Sequence, residues 1–246
     1  MAIYRLSVKP ISRRQGRSIV GAAAYRSGEK LYDKYYGLIH DYTKKGGIVY
    51  NEILLPQNAP IKFRDRETLW NSVDEAEIRE DARTAREVEV ALPIELELDE
   101  NVKLVNDYIV DNFVRHGLVA DVAIHDKGVG NPHAHILLTT RETDINGFVI
   151  KKNRNWDKRH NLEVWRKEWA KAVNKELERK GLEIRISHER LELQGIHREP
   201  TKHLGYIASK LEKQGILTDR GNENRAIVAR NLEKERGRGR SADRSR

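Results

Sequence analysis

Two apolar runs near the middle of the chain have the length and composition of β-strands. They cover residues 118–125 and 133–140 and are separated by a turn that contains glycine and proline. Such a turn between two apolar runs is typical of an antiparallel hairpin. Because His125 ends the first run and His133 begins the second, the hairpin is predicted to bring both imidazoles to the same end.

Helical patterns dominate much of the remaining sequence. Ser18 and Gly28 have the positions of an N-cap and a C-terminal stop around a short Ala-rich helix. Trp165 and Trp169 lie on the apolar face of a long amphipathic helix over residues 160–180, which predicts that both are core residues. The other predicted elements are an opening strand over 1–8, a Tyr- and Lys-rich loop through Gly47, strands over 48–55 and 85–92, and helices over 65–80, 100–116, 201–214 and 219–236.

This order of elements predicts an α+β fold with a central antiparallel β-sheet and flanking helices. The sequence lacks the Gly-rich phosphate fingerprints of doubly wound folds, and we expect the helices to lie on one side of the sheet. We predict one main domain over residues 1–199 and a helical, basic C-terminal extension over residues 200–246. Residues 237–241, which are Arg, Gly and Ser, are predicted to form a solvated tail.

The charge balance favours a polyanionic partner. The 246 residues include 46 Lys and Arg against 38 Asp and Glu, which gives a net charge of +8. Nucleic acid is the first candidate and an anionic membrane the second, and a highly charged solvated surface is the alternative. Cysteine is absent, which excludes disulfides and thiolate metal ligands and fits an intracellular compartment. No apolar run approaches the roughly 20 residues needed to span a bilayer, so we expect a soluble, cytoplasmic protein without membrane insertion.

Three histidines of the predicted hairpin form a candidate metal site. Successive side chains of a strand point to opposite faces, so His133 and His135 share a face, and the hairpin register can place His125 beside them. The opposite, core face is predicted to carry Ile124, Ala134, Ile136 and Leu138. Three protein ligands leave open positions on a metal ion, which is typical of a Lewis-acid site. The alternative is that the histidines only form hydrogen bonds in a packed sheet, and the sequence does not identify the ion.

Two carboxylates form a second candidate group. In the strand over residues 85–92, alternation places Glu87 and Glu89 on one face and the neighbouring valines in the core. If this strand lies next to the histidine hairpin, either carboxylate could orient a histidine, accept a proton or lie in the surroundings of the metal. The alternative is a solvated strand face with two ordinary glutamates.

Four segments together carry a family resemblance. They are Met1-Ala2-Ile3-Tyr4, Ala24-Tyr25-Arg26, Arg86-Glu87-Val88-Glu89-Val90-Ala91-Leu92-Pro93 and Asn131-Pro132-His133-Ala134-His135. In this order, and with His125, they resemble the MobA/MobL (MobQ-type) conjugative relaxases, which belong to the HUH endonucleases. The resemblance is strongest to the amino-terminal relaxase portion of TraA-type plasmid transfer proteins. It implies the palm-like fold of HUH relaxases and identifies residues 1–199 as the catalytic domain.

The resemblance implies an enzyme that nicks and rejoins one DNA strand at a plasmid origin of transfer. Tyr25 would be the nucleophile, whose phenolate attacks the scissile phosphate, forms a 5′-phosphotyrosyl link and frees a 3′-hydroxyl. One divalent metal ion on the three histidines would neutralise developing charge; manganese or magnesium is expected in function, and zinc, nickel or cobalt are alternatives in a crystal. A free phenol is mostly protonated at neutral pH, so the metal, Arg26, or Glu87 or Glu89 as a base would activate it.

The choice of Tyr25 among the tyrosines rests on the family. Gly21 and Ala22 lie one helical turn before Tyr25, and their small side chains would let a nucleic acid strand or the sheet approach closely. An ordinary tyrosine at a helix end is the alternative. The chemically equal tyrosines that could lie near DNA are Tyr32, Tyr35, Tyr36 and Tyr42. The family resembles a one-tyrosine design, so a second nucleophile is not predicted.

DNA binding is expected to depend on phosphate contacts from basic residues. The candidates are Arg26, Lys30, Lys34, Lys151, Lys152 and Arg154. The implied partners are origin-of-transfer DNA, as a single strand plus a hairpin, and the relaxosome and coupling proteins of a secretion system. Three alternatives remain open: a metal-dependent hydrolytic nuclease, a rolling-circle replication initiator with the same chemistry, and a basic DNA-binding module with structural histidines.

Overall fold

A five-stranded antiparallel sheet forms the centre of the main unit. The computed structural model describes residues 3–128 and 130–243, so Met1 and Ala2 of the predicted opening strand and Val129 of the histidine hairpin lie outside the described residues. The strands of this sheet are β1 (Leu6–Ser12), β4 (Ile48–Leu54), β5 (Arg83–Ala91), β6 (Ala120–His125) and β7 (His133–Thr139). Their order is β1-β5-β7-β6-β4, and each neighbouring pair is antiparallel. The predicted α+β fold with a central antiparallel sheet is confirmed.

Helices cover both faces of the sheet. In the main unit they are α1 (Ile19–Ser27), α2 (Arg66–Ala76), α3 (Leu98–Asn112) and α4 (Arg159–Arg179), whereas α5 (Tyr206–Lys213) and α6 (Asp219–Asp243) belong to the second unit of the chain. On one face Val88 and Val90 of β5 share a core with Trp169 of α4, and on the other face Ala85 shares a core with Trp70 of α2. The expectation of helices on one side is therefore wrong, because β5 buries both of its faces, with Ala85 on one face and Val88 and Val90 on the other.

Local signals placed α1 correctly. The Ser18 hydroxyl accepts a hydrogen bond from the Gly21 amide at 2.8 Å, as an N-cap does. Gly28 ends the helix with φ of 73°, in the left-handed region that favours glycine. Trp165 and Trp169 are buried, so their predicted place in the core is confirmed.

Two predicted irregular segments have regular structure. The Tyr- and Lys-rich segment before Gly47 contains a two-stranded hairpin, β2 (Lys30–Asp33) and β3 (Leu38–Asp41). Burial alternates along β2, with Leu31 and Asp33 buried, which is a strand pattern too short to recognise among so many polar residues. A second small hairpin joins β8 (Thr143–Asp144) and β9 (Gly147–Phe148). The predicted tail over residues 237–241 is part of α6, whose backbone continues to Asp243.

A buried ion pair joins α2 to strand β6, which lies between β7 and β4. Asp121 is 4% exposed and accepts two hydrogen bonds from Arg66, both at 2.9 Å. The indole N–H of Trp70 donates a third at 2.8 Å. The carboxylate is thus fully paired inside the sheet-helix layer, and it holds α2 in register with the strand that ends at His125.

The chain divides into two compact units, Met1–His188 and Glu189–Arg246. This division falls earlier than the boundary after residue 199, and the assignment of a catalytic domain and an extension stays a prediction. Within the second unit, Glu212 of α5 and Arg225 of α6 form an ion pair at 2.7 Å. Across the described residues, none of the helices has the length and apolar character needed to cross a bilayer.

Candidate metal centre and tyrosine site

The histidine hairpin brings three imidazoles together at one end of the sheet. His125 of β6 pairs with His133 of β7 in the strand register, and His135 lies two residues further on the same face. One nitrogen from each ring lies within 4.8 Å of the others, so the three can hold one ion. The opposite face of the hairpin is buried core, as the alternation predicted, and carries Ile124, Ala134, Ile136 and Leu138.

Hydrogen bonds orient two of the rings. Nδ1 of His135 lies 2.8 Å from Oε1 of Glu87, and Nδ1 of His133 lies 2.9 Å from the carbonyl oxygen of Asn131. A carboxylate and a carbonyl only accept, so both Nδ1 atoms donate, and the neutral form of each ring has its free lone pair on Nε2. An imidazole held in this way is typical of a metal ligand. The donor set therefore fits a divalent metal ion.

His125 differs from the other two. Its Nε2 lies 2.8 Å from the carbonyl oxygen of Arg26 and 3.3 Å from Nζ of Lys45. Burial lowers the pKa of His125 to about 4, and the positive charge of Lys45 also lowers it. The ring is therefore neutral at pH 7, which is the form that binds a metal ion.

Glu87 and Glu89 share a face but have different partners. β5 lies next to β7, as the metal-face hypothesis required, and Glu89 is opposite His135 in the register. Only Glu87, at 7% side-chain exposure, bonds to His135, whereas Glu89 forms an ion pair with Arg5 at 2.9 Å. Burial would raise the pKa of Glu87, but hydrogen bonds from His135 and Arg26 and the charge of Arg26 lower it to about 2. An anion this stable orients a histidine well and accepts a proton poorly.

The guanidinium of Arg26 is hydrogen-bonded to the carboxylate of Glu87. Its Nε and Nη2 donate to Oε1 of Glu87 at 2.9 and 2.6 Å, and its Nη1 donates to the carbonyl oxygen of Ala22 at 2.7 Å. The guanidinium thus helps to fix Glu87, and Glu87 in turn fixes His135. Arg26 lies in the site, but each of its three guanidinium nitrogens already donates a hydrogen bond within the protein.

Tyr25 lies at the end of α1 beside the histidines. Its side chain is 47% exposed, and its ring meets the Tyr42 ring edge-on at 5.2 Å. Nζ of Lys45 lies 4.2 Å from the centre of the Tyr25 ring and 3.3 Å from Nε2 of His125. Lys45 therefore links the phenol to the histidine cluster, and solvent reaches the phenol.

Lys45 is a residue that sequence reasoning missed. It lies in the turn after β3, and the carbonyl oxygen of Gly47 in this turn accepts a hydrogen bond from the Asp126 amide at 2.9 Å. Burial, together with the charges of Arg26 and Lys127, lowers the pKa of Lys45 to about 8. No local pattern signals this position, because only the pairing of β4 with β6 brings the turn to the histidines.

Gly21 makes room for a strand rather than for bound DNA. A Cβ atom on Gly21 would lie 2.8 Å from Cε1 of His40 in β3, so the missing side chain lets the β2–β3 hairpin pack on α1. Oδ2 of Asp33 lies 3.3 Å from Nε2 of His40. The predicted close approach at this helix is thus an approach of the protein itself.

The other predicted DNA contacts lie on the β2–β3 hairpin and on the segment before α4. Lys30 and Lys34 belong to the β2–β3 hairpin and the turn after β2, and Nζ of Lys34 pairs with Glu75 at 3.4 Å. Lys151 and Arg154 are exposed on the segment before α4. The Nζ of Lys152 is bound to Glu77 and to the carbonyl oxygen of Arg83, both at 3.1 Å.

The model of one protein family, described as the MobA/MobL family, matches residues 17–214 of this chain. The chain belongs to the MobA/MobL family. This family relationship was predicted from the four short segments and is confirmed. The matched residues include α1 with Tyr25, β5 with Glu87 and the histidine hairpin.

Curated relatives are longer than this MobA/MobL chain. It is 38% identical over 247 residues to mobilization protein MobL of Acidithiobacillus ferridurans, covering 87% of this chain and 65% of the relative. It is 34% identical over 250 residues to the conjugal transfer protein TraA of Agrobacterium fabrum, covering 88% of this chain and 23% of the relative. The chain thus spans less than two thirds of either protein.

Solved structures share the fold. One, described as the molecular basis of vancomycin resistance transfer in Staphylococcus aureus, has 34% identity and a TM-score of 0.73, covering 77% of this chain and 100% of that chain. Another, a manganese-bound MobM relaxase domain with plasmid oriT DNA, has 16% identity and a TM-score of 0.50, covering 86% of this chain and 99% of that chain. At this low identity the second likeness concerns the fold alone.

Proposed function

We propose that this chain is the relaxase part of a plasmid mobilization protein, which nicks and rejoins one DNA strand at an origin of transfer. The observation that carries the proposal is the contact of Lys45 with both the Tyr25 ring and the His125 ring. This contact places an exposed phenol beside a three-histidine cluster, which is the arrangement that a tyrosine transesterase needs. Membership of the MobA/MobL family supports the same assignment.

In this proposal Tyr25 is the nucleophile. After loss of its proton, the phenolate oxygen bonds to the phosphorus of the scissile phosphodiester, and the bond from phosphorus to the 3′-oxygen breaks. The departing 3′-oxygen takes up a proton and becomes a free 3′-hydroxyl, while the 5′-phosphate stays on the tyrosine. Reversal rejoins the strand. Since one phosphodiester replaces another, the exchange needs no external energy source.

His125, His133 and His135 would hold the metal ion. When bound, a divalent ion supplies Lewis acidity toward a phosphate oxygen. Imidazole nitrogens suit several ions, and we propose manganese or magnesium as the functional one, with zinc, nickel or cobalt as alternatives in a crystal. Glu87 acts as a positioning residue, because its pKa of about 2 leaves it ionised and hydrogen-bonded to His135. Glu89 has no such link, and its ion pair with Arg5 favours a role in joining β1 to β5.

The proposed substrate is origin-of-transfer DNA, as a single strand with an adjacent hairpin. The net charge of +8 favours a polyanion, and contacts to phosphates make the affinity depend on salt. The similarity of this chain to mobilization protein MobL and to the conjugal transfer protein TraA supports this choice. Relaxosome and coupling proteins, and a cytoplasmic location, remain predictions.

The test is the formation of a covalent protein–DNA adduct. Wild type and Tyr25→Phe are incubated with single-stranded origin oligonucleotides and manganese or magnesium, and then separated by denaturing electrophoresis. We expect an adduct with wild type that is absent with Tyr25→Phe and after chelation. The matched control is Tyr42→Phe, which removes a phenol in contact with the Tyr25 ring and should keep the adduct.

Two other outcomes would replace the proposal. Cleavage without an adduct would indicate a metal-dependent hydrolase in which the histidine site activates water. Salt-sensitive binding without cleavage at any metal concentration would indicate a DNA-binding module with structural histidines. An adduct with a replication origin, but with none of the transfer origins, would indicate a rolling-circle initiator of the same chemistry.

A further inference from the structure

A cavity lies on the face of the sheet that is opposite the histidines. It has a volume of about 260 Å³ and is bounded by β1, β5 and the segment from Lys152 to Trp165. Arg86 lines it, whereas the next residue, Glu87, points to the histidine face. Since successive residues of a strand face opposite sides, the cavity is separated from the metal site by the sheet itself.

Arg86 has an unused donor in this cavity. The residue is 8% exposed, and its Nη2 donates to Oδ1 of Asp157 at 2.7 Å. Its Nη1 is buried and has no hydrogen-bond partner within the described ranges. Burying a charged N–H group without an acceptor costs free energy, so the arrangement favours a ligand that brings an acceptor.

Positive charge is in excess around the cavity. Arg83 and Arg86 share the carboxylate of Asp157, at 3.7 and 2.7 Å. Lys152 shares the carboxylate of Glu77 with a further arginine, Arg141. Two carboxylates thus form ion pairs with four cations, and Lys158 adds a fifth cation to the residues around the cavity. The acceptor that the site favours is an anion.

The remaining wall is aromatic and apolar. The rings of Trp156 and Trp165 stack at 26° with centres 6.1 Å apart, and Val8 and Leu162 continue the wall. The guanidinium of Arg86 lies 5.8 Å from the centre of the Trp165 ring. A ligand that fits must therefore combine an anionic group with a flat, weakly polar group.

We propose that this cavity binds one nucleotide, with the phosphate at Arg86 and Lys158 and the base against the wall that contains Trp156. A nucleotide has both required groups and a size close to that of the cavity. The nucleotide is either part of a DNA strand that is held away from the nick or a free nucleotide. The first case rests on the proposed relaxase function. Arginine suits the phosphate because its planar donors match the phosphate oxygens.

The test follows the indole N–H signal of Trp156 in ¹H–¹⁵N NMR spectra of the full chain, assigned with Trp156→Phe. Deoxyadenosine 5′-monophosphate, deoxyadenosine and inorganic phosphate are titrated separately. We expect the nucleotide to give a saturable shift and to bind at least tenfold more tightly than either of the other two. Arg86→Gln and Lys158→Gln should each weaken the nucleotide at least threefold. The matched control is Arg159→Gln, an exposed cation next to Lys158 that does not line the cavity.

The absence of a saturable shift would overturn the proposal, as would an equal loss with Arg159→Gln. If Arg86→Gln changes the fold, shown by its thermal melt, Lys158→Gln decides, because Lys158 is exposed. If a twelve-nucleotide single strand displaces the mononucleotide, the cavity binds DNA. If the strand does not displace it, the cavity binds free nucleotides. Adduct formation at Tyr25 is measured separately, so a failure of the relaxase assignment leaves a nucleotide shift intact.

Discussion

Oε1 of Glu87 lies 2.8 Å from Nδ1 of His135, whereas Glu89 on the same face of β5 forms an ion pair with Arg5 instead. We predict that Glu87→Gln weakens metal binding by about tenfold to a hundredfold, the usual effect of losing the group that orients a ligand histidine. The amide has no charge, so it holds the His135 proton less firmly and leaves Arg26 without its anion. Manganese affinity, measured by titration calorimetry, checks this.

Glu89→Gln is the matched control, because it removes the same charge two residues away. Its carboxylate pairs with Arg5 and not with a histidine, so we expect the manganese affinity of Glu89→Gln to stay within about twofold of wild type. Equal losses in the two variants would mean that general negative charge, and not the orientation of His135, determines metal affinity.

The sequence predicted the histidine cluster because its geometry is local. Alternation puts His133 and His135 on one face, and a short hairpin returns His125 to their side. The choice between Glu87 and Glu89 was left open, since both have the same parity on β5. It depends on Arg26 of α1, which reaches Glu87, and on Arg5, which reaches Glu89. Contacts between distant segments leave no periodic signal in the sequence.

Lys45 lies between the phenol and the histidines, and we predict that Lys45→Met slows adduct formation about tenfold or more. Its ammonium is within 4.2 Å of the Tyr25 ring centre, where the charge of a phosphate under attack would develop. The same ammonium is 3.3 Å from Nε2 of His125, so its removal should leave manganese affinity unchanged or higher. Single-turnover adduct kinetics and calorimetry measure the two effects.

Lys44→Met serves as the control, since Lys44 is the exposed neighbour of Lys45 on the same turn. Its adduct rate should match that of wild type at saturating oligonucleotide. A slow Lys44→Met variant would show that the effect reflects the net charge of the turn. A normal rate in Lys45→Met would show that the ammonium has no part in the reaction.

Asp121→Asn is predicted to reduce the free energy of unfolding by about 3 kcal/mol, because it leaves Arg66 buried beside a neutral amide. The carboxylate accepts two bonds from Arg66 and one from Trp70 within the layer between α2 and the sheet. Urea unfolding followed by circular dichroism measures the loss. Asp111→Asn, which breaks an exposed pair with Arg115, should cost less than about 1 kcal/mol.

Asp121 also shows why the strand pattern alone was incomplete. Residues 118–125 were predicted as an apolar strand ending in a ligand, and the acidic residue within it had no assigned role. Its partners come from a helix about fifty residues earlier in the chain. The packing of helices on both faces of the sheet was missed for the same reason. Ala85 and Leu137 are covered by α1 and α2, which are distant from them in the sequence.

The stability of the second unit is predicted to depend on pH through Glu212 of α5. Glu212 accepts hydrogen bonds from the Arg225 guanidinium and from the Thr218 amide and hydroxyl, and these bonds lower its pKa to about 2. A carboxylate whose pKa is depressed on folding stabilises the fold above its ordinary pKa of 4.5, and this contribution is lost as pH falls toward 2. We expect the Thr218 amide shift, measured by NMR, to titrate with a midpoint near pH 2.

Glu212→Gln should lower the urea midpoint of the α5 and α6 amide signals at pH 7, and its difference from wild type should shrink between pH 4.5 and pH 2. The difference shrinks because only wild type has a carboxylate at position 212 that becomes protonated between pH 4.5 and pH 2. Only wild type therefore loses the stabilisation that this charge provides. Glu223→Gln, which removes an exposed partner of Lys202 in the same unit, should leave the Thr218 titration unchanged. A Thr218 midpoint near pH 4.5 in wild type would contradict the proposed bonds to Arg225 and Thr218 in solution.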